Sequence, residues 1–227
     1  MSKAIQLSGT GRNVATFFEE QNAWVVFALL CLGYATTAYI QDTMILTKEV
    51  YYNTLGEQLT IERIDALLEK QAEWKWVSYV LIPVMVAFQA FLVALCLNCG
   101  TIMMNYKIRF RPLFTLVLRT SIVFLLWKLA LTFILLFSKV QFFDDLETLN
   151  KFALAGFVNK ESVPTWLMYP LSIINIFEVA FWVLLTFGMS RILQRSFKGS
   201  LGFVLTTYGL GLLIWMVFII FLQLNLS

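Results

Sequence analysis

Arg119, Lys128 and Glu178 lie inside stretches of this 227-residue chain that are otherwise apolar enough to cross a bilayer. A charge at bilayer depth costs about 2.5 to 3.5 kcal/mol on insertion scales, so it faces a partner or a water-filled path rather than lipid. Chemistry of two kinds is open to the carboxylate. It can bind and release a proton or cation as part of a relay, or it can form a fixed ion pair that holds two helices in register. Arg119 and Lys128 are nine residues apart, which at about 100° per residue places them on opposite helix faces, so one face cannot offer both to Glu178. Lys128 is the expected partner. Arg119 lies about six residues, roughly 9 Å, into its span, near enough for its long stem to carry the guanidinium to the interface. It is expected to act there as an anchor beside Arg109 and Arg111.

Ser172, Asn175 and Glu178, continuing to Trp182 and Thr186, follow three- and four-residue steps and would share one face of a continuous helix. Such a polar stripe has to look into the bundle or into another protein, because lipid cannot satisfy it. Lys128, Ser172, Asn175 and Glu178 are therefore the candidate intramembrane polar site.

Other chemistry is excluded by what the chain lacks. It contains no histidine, which removes imidazole bases and histidine-ligated metal or haem. No GxxxxGK[ST] loop is present to cradle phosphates. Cys96 and Cys99 form a CxxC spacing, but Cys31 is the sole remaining cysteine, so a four-ligand zinc site cannot be completed. The cysteines read as small apolar packing residues. Asp144, Asp145 and Glu147 lack the ligand spacing of a calcium loop, and Asp144 and Asp145 read instead as favourable charges at the start of a short surface helix over Leu146–Ala155. No catalytic residue, metal or cofactor is expected.

The elements that must position the polar residues follow from composition. The chain is 59% hydrophobic and 16% aromatic but only 14% charged. Five apolar runs are each long enough for a hydrocarbon core about 30 Å thick. They lie near 23–40, 76–97, 113–137, 166–189 and 201–222. Continuous apolar runs of this length suit helices rather than the alternating strands of a barrel. The expected fold is all-α, a polytopic membrane protein with a bundle of five transmembrane helices and a single transmembrane domain over 1–227.

Between the first two runs, Ile61, Ile64, Leu67, Leu68 and Ala72 recur at helical spacing among charged residues. This predicts an amphipathic helix in the first outer loop that runs into the second span without a breaker. It serves either to dock a partner or to lie at the interface. Gly202, Thr206, Thr207, Gly209 and Gly211 suggest that the last span packs closely on another helix.

Lys107, Arg109 and Arg111 occupy one short loop, and Arg191, Arg195 and Lys198 another of the same parity, with Lys3 and Arg12 at the amino terminus. The positive-inside rule places that side in the cytoplasm. Five spans then leave the carboxy terminus on the far, periplasmic side. The charged residues near the start stand too far from the first apolar run for a typical cleaved signal, so the first span is expected to be retained. With a net charge of +3 and no basic cluster interleaved with aromatics, nucleic acid is not an expected partner.

The run PLSIINIFEVAFWVLLTFGMSRILQRSFKGSLGFVLTTYGLGLLIWMVFIIFL, Pro170 to Leu222, resembles the last part of Yip1-like bacterial integral membrane proteins. It has a similar Asn-hydrophobic-Phe start, a glycine at the helix end and a Lys-Gly turn before the final span. This chain departs from that pattern in its longer outer loops and in lacking an extended cytoplasmic amino-terminal region. The resemblance implies a role in membrane organisation or trafficking through partners and no established chemistry. Phe-, Ile- and Lys-leaning usage with few Pro and Gly points to a bacterial inner membrane, with an organelle membrane as the alternative. The expected function is a non-enzymatic adaptor or accessory subunit of a larger membrane complex, in contact with lipid and with other membrane proteins or copies of itself. The alternative is a small transporter or channel component that uses Glu178 as a proton or cation site.

Overall fold

The structure, a computed structural model, describes residues 22–138, 140–143, 153–157 and 164–226. Among these every extended element is helical, and four helices are long and apolar enough to cross a membrane. They span Ala23–Ile45, Ile61–Met103, Phe110–Phe137 and Phe197–Asn225. The chain is thus a membrane-embedded helical protein.

The first of these is α1, Ala23–Ile40, which runs on through a π-helical turn at Gln41–Ile45. A short α2, Lys48–Leu55, leads into α3, Ile61–Met103. The helix predicted before the second span is continuous with it in α3. Pro83 lies inside α3 without ending it. Its missing N–H is tolerable because polar groups of a membrane helix can be satisfied by local adjustment. At about 1.5 Å per residue, the 43 residues of α3 reach about 65 Å, roughly twice the hydrocarbon thickness. Its first turns therefore stand clear of the apolar stretch. Of the predicted apolar face there, Ile64 is buried while Ile61 and Leu67 are 67% and 50% exposed.

The third span is divided at Ser121 into α4, Phe110–Thr120, and α5, Ile122–Phe137. Thr120 and Ser121 return their hydroxyls to the carbonyl of Val117 at 2.9 and 2.8 Å. Back-bonding of this kind bends helices and accounts for the interruption. The last span comprises α8, Phe197–Val204, a π-helical turn at Leu205–Gly209 and α9, Leu210–Leu226.

Residues predicted as one helix over 166–189 form two, α6 at Thr165–Ile173 and α7 at Ile176–Ile192. The break follows from local chemistry. Asn175 is in extended conformation and its side-chain oxygen accepts from the backbone N–H groups of Phe177 and Glu178 at 3.0 and 2.9 Å. It starts a new helix as an N-cap. Its backbone also bridges to Ala153. The short helix predicted over Leu146–Ala155, with Asp144 and Asp145, and the amino-terminal Lys3 and Arg12 lie outside or almost wholly outside the described residues.

The core is assembled where α1, α3, α4, α5, α7 and the last span meet, around Leu30, Ala94, Leu97, Val117, Leu185, Met189 and Val204. Helices approach closely where side chains vanish. A Cβ on Gly100 of α3 would stand 2.0 Å from Thr207 Cγ2, so that glycine admits the last span. Outward faces carry Trp24, Leu32, Val84, Phe88, Leu213, Val217 and Phe221, all exposed. Lipid is the natural neighbour for such faces.

The two basic loops, 104–109 and 193–196, share one end of the bundle, because Arg195 places its guanidinium 5.2 Å from the centroid of Tyr106. At the other end, α2 folds against the first turns of α3. Tyr52 donates to Asp65 at 2.5 Å, Tyr51 to Gln71 at 3.2 Å, and Lys75 pairs with Asp42 at 3.5 Å.

Candidate functional site

Glu178 is buried, 7% exposed, in the first turn of α7. Its Oε1 accepts two hydrogen bonds of 2.6 Å, one from the Trp182 indole N–H and one from the Tyr208 hydroxyl. Trp182 is one turn further along α7, as the i, i+4 spacing requires. Tyr208 comes from the π-helical turn of the last span. Such turns add a residue and re-aim side chains locally, and they recur at functional positions. Here the turn aims a phenol at a carboxylate.

Aromatic rings surround the cluster. Tyr208 meets Phe181 edge-on at 5.5 Å and Trp182 at 5.9 Å. Phe181 in turn packs at 4.9 Å on Phe124 of α5, and Phe177 stacks at 4.0 Å on Trp127. These rings exclude water from the polar atoms they enclose. In low dielectric a satisfied hydrogen bond is strong and an unsatisfied one costly.

The expected pairing of Glu178 with Lys128 is not formed. Phe124 and Trp127 of α5 meet α7 through their rings, whereas Leu125 and Thr132 meet α1. A Cβ on Gly33 would stand 2.6 Å from Leu125, and Gln41 donates to the Thr132 hydroxyl at 2.8 Å. Lys128 makes no ion pair with Glu178, whose Oε1 instead accepts from the neutral donors Trp182 and Tyr208. Arg119 is also distant. It lies beside Gly188 and Arg191, and Gly188 stands ten residues, or about 15 Å, along α7 from Glu178.

The predicted polar stripe is divided by the break before Asn175. Ser172 belongs to α6 and donates to its own helix at Tyr169, 2.7 Å away. Asn175 holds the start of α7 and donates back to Ile173 at 3.0 Å. Glu178, Trp182 and Thr186 remain on α7, where the buried Thr186 hydroxyl has no hydrogen-bond partner among the described residues. Ser200, on the facing α8, is in the same condition. Arg109 and Arg111 stand at the start of α4, both exposed, at the basic end.

Among the described residues no group of three or more metal-ligating side chains converges. Cys31, Cys96 and Cys99 are all free. Cys96 packs against the last span, where a Cβ on Gly211 would stand 2.6 Å from its sulfur, but Cys99 is exposed.

Tyr208 is the site residue that sequence reasoning missed. Periodicity cannot reveal it, since a π-helical turn breaks the 3.6-residue count. The helix break could have been found from the spacing Asn175-x-x-Glu178, a capping signature, closely following Pro170.

No family model matches this chain, and no curated protein or solved structure is significantly similar to it. Its function has to be argued from the arrangement itself. That arrangement can clamp α7 to the last span through a carboxylate, and it can hold or release a proton at one buried oxygen pair.

Proposed function

We propose that this chain is a non-enzymatic adaptor or accessory subunit of a larger membrane complex. The observation that carries the proposal is the projecting first third of α3. Residues 61–75 extend about 22 Å beyond the apolar stretch. They bear Glu62, Arg63, Glu69, Lys70 and Glu73, with Ile61, Leu67 and Trp74 exposed between them. A rigid helix anchored in the membrane and presenting apolar anchors among charges has the form of a docking element for another helix. The Glu178 cluster serves this reading as a clamp, since both of its donors come from the same chain. The resemblance of Pro170–Leu222 to Yip1-like proteins also implies action through partners. The full reading is a bundle of five transmembrane helices, the broken α6–α7 pair supplying one crossing, in a bacterial inner membrane with a cytoplasmic amino terminus.

The test is photo-crosslinking from position 67 in native membranes, with position 85, on the exposed face within the apolar stretch, as control. A discrete protein adduct from 67 alone supports docking. Lipid adducts from both positions, and no protein adduct, refute it.

A second reading is favoured by specific observations at Glu178. It is a small transporter or channel component in which Glu178 takes up a proton or cation. Discontinuous helices with a functional group at the break are a recurring transporter device. Here Glu178 follows such a break, Tyr208 sits on a π-helical turn, and the buried hydroxyls of Thr186 and Ser200, on the two facing helices, have no hydrogen-bond partner among the described residues. Glu178→Gln separates the readings. Transport predicts lost proton or cation flux in liposomes with normal folding, and the adaptor reading predicts no flux in either protein.

A further inference from the structure

Both hydrogen bonds to the Glu178 side chain fall on one oxygen, Oε1, and among the described residues none falls on Oε2. A carboxylate has about four lone-pair positions, so Oε1 is filled while Oε2 keeps its capacity to take a proton. A proton taken there makes an O–H bond on Oε2 and breaks no bond in the protein. Oε1 becomes the carbonyl oxygen of the neutral acid and still accepts from Trp182 and Tyr208. The tie between α7 and the last span is therefore compatible with both forms of the group.

A metal cation needs what this arrangement does not offer. Hard cations are held by oxygen lone pairs, about six or more for calcium. The Trp182 indole N–H is a donor only, and the Tyr208 phenol turns its hydrogen toward Oε1. A cation at the carboxylate would face the positive ends of both. Asn175 Oδ1 is already taken by the N–H groups of Phe177 and Glu178. Among the described residues no set of three or more acidic or thiol side chains converges. The charged and titratable groups on the elements packed against α7 do not alter this. The Cys96 thiol of α3 lies near Tyr208, Lys128 of α5 forms no ion pair with Glu178, and Arg119 of α4 lies beside Gly188, about 15 Å along α7.

We propose that Glu178 is a proton site closed to metal cations, with Oε2 as the atom that takes the proton. The proposal rests on the second reading above, in which Glu178 takes up a proton or a cation, and narrows it to the proton. It also gives the cluster a property that an ion pair lacks. Protonation of a carboxylate in an ion pair removes the attraction that joins the two helices, whereas the neutral donors to Oε1 remain bonded.

The experiment uses the full chain in phosphatidylcholine nanodiscs and follows the stretching band of the protonated carboxyl group by infrared difference spectroscopy across pH. Each titration is repeated with sodium, potassium or calcium chloride in place of N-methylglucamine chloride at constant ionic strength, so that screening is unchanged. The expected result is a titrating band that is lost in Glu178→Gln and has the same midpoint in every salt. Tyr208→Phe keeps the titration and moves the band to higher frequency, because the carbonyl oxygen loses one of its two donors. A competing cation would instead lower the midpoint by about one pH unit for each tenfold rise in its concentration, and that result overturns the proposal. The absence of any titrating band that Glu178→Gln removes overturns both the proposal and the reading beneath it. A titrating band without proton flux in liposomes refutes transport alone and leaves the proton site standing.

Discussion

Tyr208→Phe removes one oxygen atom and keeps the ring, so it isolates the hydrogen bond that ties the last span to α7. The lost bond is the 2.6 Å contact to Glu178 Oε1, and the ring contacts to Phe181 and Trp182 are retained. Hydrogen bonds to charged groups contribute about 1.5 to 3 kcal/mol, whereas interhelical ones measured in a membrane average about 0.6 and reach about 1.7. Trp182 still donates to the same oxygen, so the carboxyl group is not left bare. The expected cost is therefore about 1 to 2 kcal/mol, a factor of roughly 5 to 30 in the unfolding equilibrium. The assay is equilibrium unfolding by SDS in mixed micelles, run as a cycle with Glu178→Met. In that background the phenol has no acceptor, and Tyr208→Phe should cost nothing. A coupling below about 0.3 kcal/mol, within the error of additivity for independent sites, would refute the clamp.

Asn175→Ala loses an N-cap that satisfies the N–H groups of Phe177 and Glu178, and should cost about 1 kcal/mol in the same unfolding assay. Gly188→Ala forces a methyl group onto Leu116 and should cost about 1 to 3 kcal/mol, partly recovered by adding Leu116→Ala. Lys128→Met and Glu178→Gln should combine additively to within about 0.5 kcal/mol, because no ion pair or hydrogen bond joins the two side chains. Tyr52, outside the spans, has its phenol held above the ordinary value of 10.0, first by its hydrogen bond to Asp65 and further by burial and the charge of Asp65. That interaction is fully present below pH 10.0 and is lost as pH rises through the raised folded value, so absorbance titration of tyrosinate should show one late phenol that Asp65→Asn returns to the ordinary range.

Much of the helical plan was legible because apolar runs report directly on helices that face lipid. The first run, 23–40, coincides with α1, and the second lies within α3. The fourth was misread as one helix because hydropathy is blind to capping. Asn175 interrupts a stretch whose neighbours Ile173, Ile174 and Ile176 keep the average apolar. That misreading created the polar stripe, since Ser172 shares a face with Glu178 only if the helix is continuous. Glu178 itself was legible as a buried group needing partners, but the partners were sought by charge alone. A carboxylate can equally be satisfied by neutral donors, and Trp182 and Tyr208 supply them. Small-residue packing of the last span was readable for Thr207 and Gly211, which meet Gly100 and Cys96, but not for Gly202, which has nothing within 4 Å.

The adaptor reading is tested most directly by the mass of the particle that this 26.1 kDa chain forms when extracted in native nanodiscs, measured by light scattering. The account predicts a stable larger assembly with a second protein, reduced to the lone chain by Ile61→Glu with Leu67→Glu on the projecting part of α3. A lone chain that by itself carries protons or cations across liposomes, and stops on Glu178→Gln, would contradict it.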